Sequence, residues 1–125
     1  NFLIPTIIKH LSNGKKEIVL GDIEAKRDYV YIDDLVNAFV LAIEGKGFPG
    51  VSIYNICTEI GSSASKIVNL ISKIKGVRVK IKVNPNLIRV DEMKEECGSF
   101  ELAKRQLGWE PKINIEEGLR RLIAK

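Results

Sequence analysis

The chain has little of what metal sites, nucleophilic triads and membrane spans are made from. Among its 125 residues stands one histidine, His10, and the two cysteines, Cys57 and Cys97, are too far apart in sequence for a CxxC pair. Zinc coordination and His-dependent nucleophilic catalysis are therefore poorly supported, and reduced thiols in a cytoplasmic protein fit this usage best. No apolar run approaches the roughly 20 residues that cross a bilayer, and no signal-peptide pattern opens the chain, so neither a membrane partner nor export is expected. Repeats, linkers and low-complexity tracts are also missing.

What is present is a globular composition: 45% hydrophobic and 29% charged residues, enough for one ordinary core. A single unit over residues 1–125 is the expectation. The formal charge of +4 suits an anionic partner, but lysines such as Lys15, Lys16, Lys73 and Lys75 are spread between apolar positions, as on a solvated surface. The chain begins Asn1-Phe2-Leu3-Ile4-Pro5, without an initiator methionine and almost inside a helix, whereas 118–125 reads as a natural helical ending. An N-terminally truncated unit is expected.

Periodicity divides the chain into helices with short strands. Ile4, Ile7, Ile8 and Leu11 make a helical stripe over about 4–13, and Glu17 to Leu20 is a short strand ended by Gly21-Asp22. Tyr29, Val30, Tyr31 and Ile32 favour an extended run, followed by a helix carrying Leu35, Val36, Phe39, Val40 and Ile43, with Asp33 and Asp34 read as caps. A turn-rich stretch with Gly45, Gly47, Pro49 and Gly50 precedes a strand over Val51 to Cys57. Ser62 or Ser63 caps the next helix and Gly76 ends it. Alternation from Val77 to Val83 gives a strand with a basic outer face. A helix follows from about Ser99, stopped at Gly108-Trp109-Glu110-Pro111, and Asn114 with Glu117 has capping-box spacing before the last helix. Trp109 reads as a hydrophobic anchor.

Two segments carry a resemblance. Gly21-Asp22 with Lys26-Arg27-Asp28-Tyr29-Val30-Tyr31-Ile32-Asp33-Asp34-Leu35-Val36, then Arg89-Val90-Asp91-Glu92, Gly98-Ser99 and Leu107-Gly108-Trp109, resemble the C-terminal half of extended short-chain dehydrogenase/reductases that act as nucleotide-sugar epimerases and dehydratases. The spacing looks most like the GDP-mannose 4,6-dehydratase branch. Val90 and Ser99 stand where that branch usually has proline and aspartate, and Cys57 and Thr58 where it has glycines. The resemblance implies an α/β fold, the C-terminal, substrate-binding portion of an NAD(P)-binding Rossmann-type enzyme, and a homo-oligomer. It also implies that Arg27 and Arg89 hold the diphosphate of a nucleotide sugar and Glu92 the ribose hydroxyls. Guanidinium groups suit that task because they stay charged and offer paired donors, and an ionised carboxylate accepts from a diol.

The family's phosphate-cradling glycine motif cannot be placed here, and Tyr29, Tyr31 and Tyr54 each lack a lysine four residues on. NAD or NADP is therefore expected to belong to the full-length parent and not to bind this chain tightly, and the chain alone is expected to be inactive. The rival from another class is a non-catalytic α/β binding or assembly module, since a fold does not fix an activity. A nucleic-acid reader is weaker still, because Arg78, Lys80 and Lys82 form a basic face without interleaved aromatics.

Overall fold

A computed structural model describes residues 2–45, 50–91 and 93–124. Glu92 and the turn residues Gly47 and Pro49 lie outside them. The elements run α1 (Leu3–Ser12), β1 (Glu17–Leu20), β2 (Lys26–Asp28), α2 (Ile32–Glu44), β3 (Gly61–Ser63), α3 (Ala64–Lys75), β4 (Lys80–Val83), a 3-10 turn (Pro85–Leu87), β5 (Glu95–Glu96), α4 (Glu101–Leu107) and α5 (Ile115–Ile123). The α/β class with short strands is as the pattern indicates. Among the described residues no helix is long and apolar enough to cross a membrane.

The main core forms where three helical stripes meet a two-stranded parallel sheet. Ile7 and Leu11 of α1, Ile67, Val68 and Ile71 of α3, Leu119 of α5 and Ile18 of β1 are all buried together. β1 pairs with β4 in parallel, Glu17 opposite Lys80 through Leu20 opposite Val83. Val77, Arg78 and Val79 fall short of that strand. Helix ends follow the expected chemistry: Ser63 Oγ accepts from the Lys66 amide, Gly76 closes α3 at φ 65, and Asn114 Oδ1 accepts from the Glu117 amide. The second half of the capping box is absent, because the Glu117 carboxylate accepts from Arg121 Nε instead.

A second sheet, ordered β3-β2-β5, positions the candidate site. Two expected strands are corrected here. Tyr29–Ile32 is not a strand: pairing stops at Asp28 opposite Gly61, Tyr29 turns its ring onto the main core, and α2 has begun by Ile32. The aromatic residues serve packing, which strand propensity cannot separate from pairing. Val51–Cys57 is likewise not a strand among the described residues, since no neighbouring strand bonds to it, and Val51 and Ile53 face solvent.

The caps expected of Asp33 and Asp34 are not formed either. Tyr31 is the N-cap of α2 and no side chain caps that end. Asp34 is buried and its Oδ2 instead accepts from the amides of Lys112 and Ile113, at 3.1 and 2.9 Å. Trp109, fully buried, donates from Nε1 to the Asp34 carbonyl and stands edge-on to Phe100, with centroids 5.9 Å apart. Around this anchor Ala38 of α2 and Ala103 of α4 form the second apolar cluster.

Candidate functional site

A polar cleft of about 580 Å³ lies beside β2 and is lined by Arg27, Asp28, Tyr54–Cys57 and Glu96–Gly98. A smaller one of about 210 Å³ between α1 and α5 is walled mainly by aliphatic side chains such as Ile4, Leu119 and Leu122, and offers an anion little. The polar cleft owes its shape to strand register: β5 runs parallel to β2 with Glu95 opposite Lys26 and Glu96 opposite Arg27. Each basic residue of β2 thus has an acidic neighbour across the ladder, Lys26 Nζ lying 3.7 Å from Glu95 and Arg27 Nε 3.3 Å from Glu96.

Arg27 is held in place by backbone. Its Nη1 donates to the carbonyls of Lys26 and Met93, both at 2.8 Å, so the guanidinium is set at the cleft wall and does not sweep through solvent. The next residue, Asp28, also lines the cleft. Asp28 accepts from the amides of Thr58 and Glu59 and from the Thr58 hydroxyl, the last at 2.6 Å. Glu59 pays a conformational cost to sit there, with φ at 62, a region that disfavours side chains. Its carboxylate then accepts from Ser99 Oγ and the Phe100 amide ahead of α4. This latch joins β2, the 58–60 turn and α4. Ser99 acts mainly as a donor to Glu59, with only a long 3.4 Å bond from the Glu101 amide.

The thiols at the cleft are not poised as nucleophiles. Burial pushes the Cys57 thiol up, with the Asp28 charge adding to it. Cys97 is pushed up by desolvation and by Glu95. Both therefore stay protonated near neutral pH.

Arg89 lies on the exposed connection between the 3-10 turn and β5, and is not among the residues lining the cleft. Its side chain makes no hydrogen bond or ion pair among the described residues. The connection is nevertheless pinned on both sides of it. A Cβ on Gly21 would lie 2.5 Å from the Leu87 carbonyl oxygen, so only glycine admits this approach. On the other side Asp22 Oδ2 holds Lys94 Nζ at 2.9 Å, while Oδ1 accepts from the amides of Glu24 and Ala25. The Lys94 bond and these amides lower the Asp22 pKa to about 2, which keeps the pin charged at neutral pH. Gly21-Asp22 is thus the fastening of the loop that carries Arg89. Glu92, on the same loop, lies outside the described residues.

Of the sequence candidates, then, the structure places Arg27 in a formed cleft and Arg89 on a tethered loop outside its lining. Sequence reasoning passed over Glu96, Glu59 and the latch role of Asp28. Nothing in a linear pattern could pair Arg27 with Glu96, because a two-residue strand leaves no periodicity to read.

The fold recurs in known proteins. The model of the family described as GDP-mannose 4,6 dehydratase matches residues 2–122. The dTDP-4-dehydro-6-deoxyglucose reductase of Escherichia coli is 31% identical, over 97% of this chain and 37% of its own length. The GDP-6-deoxy-D-mannose reductase of Pseudomonas aeruginosa is 25% identical, over 99% of this chain and 42% of its own. The chain thus spans about two fifths of these relatives. Among solved structures, the UDP-glucose 4-epimerase of Thermotoga maritima with UDP-glucose superposes with a TM-score of 0.81 at 31% identity, covering 98% of this chain and 38% of that one. A UDP-glucuronic acid 4-epimerase variant of Bacillus cereus, holding a fluorinated UDP-sugar and NAD, gives 0.85 at 25% identity, covering 99% and 39%.

Proposed function

Because the chain belongs to the GDP-mannose 4,6 dehydratase family, we propose that it is the nucleotide-sugar-binding part of an NAD(P)-dependent nucleotide-sugar dehydratase or epimerase, with the diphosphate seated at Arg27. The observation that carries this reading is the fixed Arg27 guanidinium at the wall of the polar cleft. A diphosphate brings dense negative charge, and a guanidinium already oriented by carbonyls loses little freedom on meeting it. Arg89 is assigned as the second anchor, delivered by its tethered loop, and Glu92 as acceptor for the ribose hydroxyls. The cofactor, NAD or NADP, is assigned to the parent enzyme, and this chain alone holds substrate without converting it.

Titrating GDP-mannose and UDP-glucose into nitrogen-15-labelled chain tests the assignment, since chemical shifts report weak binding site by site. The Arg27 Nε–H and the amides of Asn55, Cys57 and Gly98 are expected to move, and with NAD added the sugar signals stay those of the substrate. Shifts confined to Arg78, Lys80 and Lys82 would make binding diffuse electrostatics, and a 4-keto or epimerised product would end the claim of inactivity.

The same reading gives a use to an apolar face that this chain leaves uncovered. Val36, Phe39 and Ile43 of α2 are 51%, 61% and 81% exposed, and Tyr54 and Ile56 of the following segment line an apolar groove with Phe39. We assign that face to contact with the cofactor-binding part of the parent, which would also supply the strand that 51–57 lacks. The chain alone is then expected to self-associate through it. Light scattering that shows a clean monomer across a wide concentration range would contradict this.

A further inference from the structure

We infer that Glu96 is an internal competitor for the anion seat at Arg27, a carboxylate standing where a phosphate oxygen of a nucleoside diphosphate binds. The inference rests on the reading of Arg27 given above. Three observations carry it. The Arg27–Glu96 contact is built into the fold, because the two residues are partners in the parallel register of β2 and β5 and not a chance meeting of long side chains. Both line the polar cleft, so an anion entering it meets the guanidinium and this carboxylate together. The two are also unequally held: Glu96 is 61% exposed with a contact of 3.3 Å, whereas Arg27 is 29% exposed and tied by Nη1 to two carbonyls.

The consequence is an exchange. Arg27 offers five N–H donors; Nη1 is engaged by carbonyls that cannot leave, and Nε is engaged by a carboxylate that can. A diphosphate replaces Glu96 at Nε, and the displaced carboxylate swings into solvent. Two terms oppose binding: the exposed ion pair that is given up, and repulsion between Glu96 and the incoming charge. Glu95 makes the control, since it carries the same charge on the same strand but pairs with Lys26 at 3.7 Å and is not a lining residue.

The test measures UDP and GDP affinity for the chain and for Glu96→Gln, Glu95→Gln, Arg27→Ala and the Arg27→Ala/Glu96→Gln pair, with uridine as the uncharged probe. Glu96→Gln is expected to bind both nucleotides about two- to fivefold more tightly, the worth of an exposed ion pair, and to leave uridine unchanged. That gain should vanish when Arg27 is already alanine and be absent from Glu95→Gln. No gain in Glu96→Gln, an equal gain in Glu95→Gln, or a gain that survives Arg27→Ala overturns the inference. Arg27→Ala binding as tightly as the parent chain is a separate outcome, and it overturns the seat itself.

Discussion

Replacing Trp109 by alanine is expected to cost about 3 to 5 kcal/mol of stability, the usual range for removing a large buried aromatic side chain. Trp109 has no exposed surface and closes the cluster of Ala38 and Ala103 against the ring of Phe100. Its loss also leaves the Asp34 carbonyl without its indole donor, inside the same joint where the Asp34 carboxylate holds Lys112 and Ile113. Losing this second bond to a helix carbonyl adds a smaller penalty of its own. The midpoint of thermal unfolding should fall by roughly 10 to 20 °C in a chain of this size. Trp109→Phe keeps much of the packing and loses the donor, so its cost should be markedly smaller. Calorimetry of the two variants checks this, and a loss below about 1 kcal/mol in Trp109→Ala would show that the 109–113 joint does not hold α2 to α4.

That joint also shows what a sequence can and cannot reveal. Trp109 after Leu107-Gly108 read as an anchor because a large apolar side chain at a sharp helix stop has few other uses, and Gly108 does end α4 in the left-handed conformation at φ 68. Ser63, Gly76 and Asn114 were legible for the same reason: their roles are local, fixed by residues within one turn. Asp34 was misread because its partners are far along the chain. A cap and a long-range clamp use the same residue type at the same place, and only tertiary structure separates them.

The site divides in the same way. Arg27 was legible through resemblance, and Gly21-Asp22 was visible as a turn, but its work as the fastening of the Arg89 loop depends on the approach of Leu87 and the reach of Lys94. Glu59 has no local reason to adopt a left-handed conformation; its amide donates to Asp28, far back along the chain on β2. The expected strands at Tyr29–Ile32 and Val51–Cys57 failed on a shared point. Propensity describes a residue fit for a pleated surface and does not supply the neighbour to pair with.

The largest functional effect is expected at Arg27. A charge-assisted hydrogen bond is worth roughly 1.5 to 3 kcal/mol, so Arg27→Ala should weaken nucleotide-sugar binding about ten- to a hundredfold. Because Arg27 also ties β2 to the Met93 carbonyl, a structural explanation has to be separated from a ligand contact. Arg27→Lys does so: it keeps the charge but cannot reproduce the planar fork, and should recover only part of the lost affinity while unfolding near the temperature of the parent chain. Arg78, an exposed basic residue just ahead of β4, provides the matched removal of one charge. The deciding measurement is the affinity of GDP-mannose and UDP-glucose for Arg27→Ala set against Arg78→Ala, at equal ionic strength. A ten- to hundredfold loss in the first and almost none in the second is the predicted result; equal losses in both would contradict a diphosphate seat at Arg27.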